Sequence, residues 1–162
     1  MLTLSVALDG ENFGVDFNPA ANALRVVSDT GQNLRRPFAT AGAATVADTT
    51  PTNPAVAPAT GTVPALGVTG AAYTNNDAAT ATTLLDVDTT ADRVAVQAPT
   101  NAGTLAATGG LGDDAPPDAG IDIYTSVDGD RGLYSINLRT GRASHLGGLD
   151  GGTDIALPLA QD

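Results

Sequence analysis

Three aspartates recur at one position of a repeated pattern. Asp16, Asp122 and Asp154 stand in Gly14-Val15-Asp16-Phe17, Gly120-Ile121-Asp122-Ile123 and Gly152-Thr153-Asp154-Ile155. Carboxylates that converge on one point can hold a hard cation such as Ca²⁺, which takes several oxygen ligands. Their spacing matches no compact calcium loop. The competing role is structural: an aspartate accepts backbone N–H bonds and sets the spacing between one repeat and the next. The expectation is the structural role with no cofactor. Asp16, Asp122 and Asp154 are the candidates if a metal such as Ca²⁺ binds.

Other residues offer less. His145 is the only histidine. Its neighbour Ser144 falls on the opposite face of a strand, so the two do not make the nucleophile and base of a Ser-His-Asp triad. No catalytic residue is assigned. Asp86-Val87-Asp88, Asp113-Asp114 with Asp118, and Asp128-Gly129-Asp130 are oxygen-rich, but the last lacks the downstream glutamate of an EF-hand. Turn formation is the expected use of such clusters. Arg25, Arg35 and Arg36 place three of the seven positive charges in one stretch, where ion pairs with Asp16 and Asp29 are expected rather than an anion site. A Gly-rich phosphate loop, a nucleophile elbow and a His-based zinc motif are all missing from the sequence.

Composition narrows the class. The net charge is −11, every basic residue is arginine, and Glu11 is the one glutamate among 18 acids. A phosphate backbone or an anionic membrane surface needs a basic face, so nucleic acid is excluded as a partner and membrane insertion is not expected. No apolar run reaches the roughly 18 residues of a membrane span. Long-chain helix formers are scarce, while Asp, Gly, Pro, Thr and Val point to short strands and many turns. With no cysteine there are no disulfides and no thiolate metal sites. The opening Met1 to Leu8 has no basic leader region and alternates Leu2, Leu4 and Val6 against Thr3 and Ser5, the pattern of a half-buried strand.

The elements that would carry these residues are β-strands. Strands are expected at Gly14–Phe17, Leu24–Ser28 and Gln32–Phe38, the third an edge or terminal segment because Pro37 withholds a donor. Residues 39–64, rich in Ala, Thr and Pro, read as an irregular surface loop with an outer strand near 44–47. Strands follow at 70–73, 83–88, 93–97 and 104–108 as a four-stranded meander, then at 120–124, 133–138 and 142–146. Gly14, Gly70, Gly120 and Gly152 each begin a strand, spaced by 56, 50 and 32 residues. Phe17, Tyr73, Ile123 and Ile155 stand three positions on, with Asp16, Ala72, Asp122 and Asp154 before them. Leu24-Arg25-Val26-Val27, Leu84-Leu85-Asp86-Val87 and Leu133-Tyr134-Ser135-Ile136 match as second strands.

Repeats of this length built from antiparallel strands have the dimensions of propeller blades of about 40–50 residues. A sheet this small must stack on a neighbour to bury its apolar face. The expected fold is therefore all-β, one domain over 1–162: a β-propeller-like repeat of about four small antiparallel sheets, closed where the N-terminal strand joins the C-terminal blade. An open arc, a piece of a larger ring, or a ring shared by two chains are the alternatives.

Gly14–Arg35 and Ala71–Leu111 carry a family resemblance. Gly-Val-Asp-Phe-Asn-Pro with Leu-Arg-Val-Val-Ser-Asp-Thr-Gly-Gln-Asn-Leu-Arg, Ala-Ala-Tyr-Thr-Asn-Asn, Thr-Thr-Leu-Leu-Asp-Val-Asp, Pro-Thr-Asn-Ala-Gly-Thr-Leu and Leu-Tyr-Ser-Ile-Asn-Leu-Arg-Thr-Gly all contribute. The chain resembles the bacterial domain-of-unknown-function family forty-three ninety-four, shortened at its N-terminus and at 126–132. The resemblance implies a β-propeller-like fold and a secreted or surface location, and brings no activity. The functional expectation is a non-enzymatic structural or binding module, extracellular or at the cell surface, acting in adhesion, presentation or self-association. Its partners would be a protein or carbohydrate surface, or further copies joined through unpaired strands. The alternative is a metal-assisted hydrolase or lyase with carboxylates near the propeller axis.

Overall fold

A computed structural model describes residues 3–74, 81–125, 131–137 and 142–148. Among them the protein is all-β apart from a single 3₁₀ turn at Thr100–Ala102. The first sheet comprises β1 (Phe13–Asn18), β2 (Ala23–Ser28), β3 (Asn33–Pro37) and β4 (Val46–Ala47), in that spatial order. A two-stranded hairpin follows, β5 (Thr52–Pro54) with β6 (Thr62–Pro64). The second sheet is the meander β7 (Val68–Tyr73), β8 (Leu84–Asp88), β9 (Arg93–Gln97) and β10 (Leu105–Gly110). The third is β11 (Gly120–Thr125), β12 (Arg131–Asn137) and β13 (Arg142–Gly148). All strand pairs within these sheets are antiparallel.

Two hairpin turns share one local chemistry. Asn18 and Asp88 end β1 and β8, and each side-chain Oδ1 accepts the N–H of the residue three on, Ala21 at 2.9 Å and Ala91 at 3.1 Å. Four residues later the chain takes up the next strand through Asn22 (φ 46°) and Asp92 (φ 47°). Asn and Asp are the non-glycine residues that best tolerate this left-handed conformation.

The sheets stack through their first strands, β1 against β7 and β7 against β11. The repeated glycines explain how closely. A Cβ on Gly14 would lie 2.7 Å from the backbone N of Ala71 and the carbonyl carbon of Gly70. A Cβ on Gly70 would lie 2.8 Å from Ile121 Cγ2. Side-chain alternation then sends the two faces of the second sheet to different neighbours. Ala71, Tyr73, Leu84, Ala95 and Leu105 join Val27 of the first sheet in one core. Ala72, Leu85, Val87 and Val94 join Ile123 of the third in another. Burying each of the larger of these side chains contributes about 1.5–3 kcal/mol.

Three expectations require correction. Residues 3–12 form no strand. Paired bonds between Ser5 and Thr45, and between Gln32 and both Ala7 and Asp9, tie that segment to the first sheet instead. β3 is not an edge: β4 pairs with Leu34 and Arg35, but stops short of Pro37, so the absent donor costs no ladder bond. Residues 39–64 are not simply an irregular loop. They supply the expected outer strand β4, and then strap the first sheet to the second: Thr49 N–H donates to Asn101 O and Thr52 N–H to Gly103 O. Ser126 to Asp130 and Gly152 to Ile155 lie outside the described residues.

Adding a methyl group at Gly14 forces the first two sheets apart. We expect Gly14→Ala to cost about 1–3 kcal/mol in urea denaturation, the usual range for overpacking. Gly109→Ala, where nothing lies within 4 Å of the new Cβ, is expected to change stability by less than about 1 kcal/mol.

A buried polar seam as the candidate functional site

The faces that the first two sheets turn toward each other are apolar only in part. Arg25 lies on β2 beside Val27's core and is 2 % exposed. Its Nη1 donates to Asn33 Oδ1 at 2.7 Å and to Asp48 Oδ2 at 2.8 Å. Its Nη2 donates to Asn101 Oδ1 at 2.8 Å, and its Nε to the Tyr73 hydroxyl at 3.4 Å. Four elements thus converge on one guanidinium: β3, the residues after β4, β7 and the 3₁₀ turn. Only arginine offers so many donors in a fixed planar fork. Asp48 also receives both ends of Arg35, Nε at 3.1 Å and Nη2 at 3.2 Å.

These pairs differ from the expected ones. Arg25 and Arg35 use Asp48, from the Ala/Thr/Pro-rich stretch, and neither Asp16 nor Asp29. Asp29 instead accepts from the Asn12 side chain and from the backbone N–H groups of Glu11 and Asn12, which hold its carboxyl below the usual range. Arg36 is buried, with no partner for its Nε and Nη1 among the described residues.

Asp16 is buried on β1 and points into the seam between the sheets. Its Oδ2 accepts the N–H of Tyr73 on β7, and its Oδ1 accepts that of Phe17 at 2.6 Å. Burial raises its pKa, and these two N–H groups oppose the rise. The carboxylate therefore spans from one sheet's first strand to the next. At the matching place on β11, Asp122 Oδ1 accepts the N–H of Ile123 at 2.9 Å. Asp154 lies outside the described residues. No group of three or more His, Asp or Glu able to hold a metal ion occurs among the described residues.

The seam contains a feature that the repeat pattern obscures. Leu84, Asp86 and Asp88 share the face of β8 that looks toward the first sheet. Asp86 is 0 % exposed, and neither carboxyl oxygen has a hydrogen-bond partner among the described residues. Complete burial pushes its pKa up to about 8, against the pull of Arg25's charge and with a further push from Asp88. Asp88 itself is held by Asn53 Nδ2 at 3.0 Å and by Arg93 Nη2 at 3.6 Å. On the same face of β9, Gln97 donates to Thr100 O at 2.6 Å, while its Oε1 has no partner among the described residues. Asp86 is thus a neutral acid below about pH 8, sealed from any substrate.

The sequence reading places Asp86 in the strand expected at 83–88, while also counting Asp86-Val87-Asp88 among the oxygen-rich clusters expected to serve turns. The structure puts it within β8 and leaves the turn to Asp88. The signal that could have located it was parity: Leu84, Asp86 and Asp88 alternate with Leu85 and Val87, so one face of the strand had to bury carboxyls. His145 lies on β13, its backbone opposite Tyr134, and Ser144 is exposed opposite Ser135.

Two outcomes follow for stability. Arg25→Met leaves Asp48 with Arg35 alone and takes a donor from Asn33, Tyr73 and Asn101, and is expected to cost about 1–3 kcal/mol in chemical denaturation. Asp86 binds its proton more tightly folded than unfolded, since its pKa rises from 3.8 to about 8. Its contribution to stability is therefore full below about pH 4 and is lost as pH climbs to about 8. Asp86→Asn should flatten that fall, measured as unfolding free energy at pH 5 and pH 9.

Comparison with curated proteins and with solved structures finds no match to this chain. A family model matches residues 1–157, nearly the whole chain: the chain belongs to the family described as Domain of unknown function (DUF4394).

Proposed function

We propose that the chain is a propeller-like, non-enzymatic structural or binding module that works outside the bacterial cell or at its surface. One observation carries the reading: two buried ionisable side chains, Arg25 and Asp16, hold sheet to sheet. Arg25 joins β2 to β7 and to the turn at Thr100–Ala102, and Asp16 joins β1 to β7. The first strands β1, β7 and β11 lie in succession, which supports blades arranged about a common axis. The family resemblance supports the extracellular location, and an acidic, lysine-free surface of net charge −11 is in keeping with it.

Contact with a partner falls to the outer strands. From Ala106 to Gly110 every residue of β10 is exposed, and its outer edge offers backbone donors and acceptors to a protein or carbohydrate surface or to another copy. The test separates this module from a metal-assisted hydrolase or lyase. Purified protein is dialysed against EDTA, assayed for metal, and melted with and without added Ca²⁺. We expect an unchanged Tm and no stoichiometric metal. A chelator-dependent fall in Tm together with about one bound ion per chain overturns the reading.

A further inference from the structure

We propose that Asp86 carries a proton which it donates to the side-chain oxygen of Gln97, and that this bond is a latch: it steadies the 3₁₀ turn on which residues 48–52 dock, and its loss releases them. The latch is independent of the propeller-like reading. Register brings the two side chains together. Asp86 pairs with Ala95 and Leu84 with Gln97, so Asp86 and Gln97 are diagonal neighbours on one face of adjacent strands. Such Cα atoms lie about 7–8 Å apart, within reach of a long side chain. Both residues are buried. The Gln97 amide has one orientation open to it. Thr100 O can only accept, so the NH₂ group faces it and Oε1 is turned elsewhere. Gln97 Oε1 and both Asp86 oxygens are then acceptors without a donor among the described residues.

The charged and titratable groups around Asp86 have other engagements. Arg25 on β2 commits Nη1 to Asn33 and Asp48, Nη2 to Asn101 and Nε to Tyr73 of β7. Asp16 of β1 accepts the Tyr73 N–H, and Asp48 is shared with Arg35. Asp88 on β8 takes Asn53, and Arg93, on the other diagonal of β9, turns its Nη2 to Asp88. Two facing acceptors repel, and a proton on one of them turns the contact into an O–H···O bond. Asp86 is the one of the pair that can carry it, and its raised pKa agrees. Gln97 passes the effect on. Its Nε2 holds Thr100 O, and the neighbouring Asn101 O and Gly103 O receive the N–H groups of Thr49 and Thr52. When Asp86 gives its proton to solvent, its carboxylate repels Gln97 Oε1, and the turn loses its hold.

Amide exchange in the full chain tests this at pH 6 and pH 9, with rates corrected for the intrinsic effect of pH. The Thr49 and Thr52 amides are expected to lose protection about tenfold at pH 9, since one unit past the midpoint weakens a proton-linked contact by that factor. The ladder amides of β2 and β3 are expected to keep theirs. Asp86→Asn has a donor for Gln97 at either pH and is expected to stay protected at both. Gln97→Met is expected to show the weaker protection at both. Unchanged protection in the parent chain, an equal loss throughout β2 and β3, or the parent's pH dependence in either variant overturns the proposal. A readout that needs no variant is the NMR titration of the parent chain. The Asp86 carboxyl carbon and the Gln97 side-chain amide are expected to move together with a midpoint near pH 8. Arg93 Nε, also unpaired among the described residues, is the rival partner for Asp86. An Asp86 midpoint near the ordinary 3.8, as that pairing requires, or a Gln97 amide that does not follow Asp86, also overturns the latch.

Discussion

The first strands of successive sheets meet backbone to backbone, and the rest of the structure follows from that contact. Sheets of three or four short strands cannot bury an apolar face alone. Stacking them solves this, but ordinary side chains at the inner end hold the backbones too far apart for an N–H on one strand to reach a carboxylate on the next. Gly14 and Gly70 remove that obstacle. Asp16 then accepts the Tyr73 N–H, so a strand that has no ladder partner on that side still has its donor satisfied.

Away from the first strands, the space between the sheets is filled differently. Where the first two sheets face each other, the filling is polar as well as apolar. Arg25 gathers Asn33, Asp48, Tyr73 and Asn101, and this ties the position of the Ala/Thr/Pro-rich stretch to that of the second sheet. Such a charge adds little net stability once its desolvation is counted. Its effect is on specificity: Asp48 can sit in only one place relative to β2 and β3. The junction between the second and third sheets is built with Leu85, Val87, Val94 and Ile123 and needs no such device.

Asp86 stands apart within this arrangement. Asp88 on the same strand is held by Asn53 and Arg93, whereas Asp86's own oxygens have no partner among the described residues. A carboxyl in that position persists as a neutral acid, and its ionisation opposes the closeness of the two sheets. Its contribution to the seam's stability therefore falls as pH climbs from about 4 to about 8.

Much of the architecture was legible in the residue pattern. The alternation and turn residues of 13–38 and 70–108 locate the strands within a residue or two, because a strand with one face against a neighbour and a four-residue Asn or Asp turn both leave local marks. The copies headed by Gly14, Gly70 and Gly120 announced that sheets stack, since glycine there has no local reason. What the pattern could not settle depends on contacts between distant segments. Leu4 and Val6 alternate like a strand, yet side-chain bonds to Gln32 and Thr45 hold residues 3–12 in another course. Arg25's partner is Asp48 because β4 delivers it across β3, which no spacing reveals. Asp86 became a buried acid only when a second sheet closed over it. Periodicity is written along the chain, but the choice of partner for a charge is made in space, where desolvation decides which carboxylate keeps its proton.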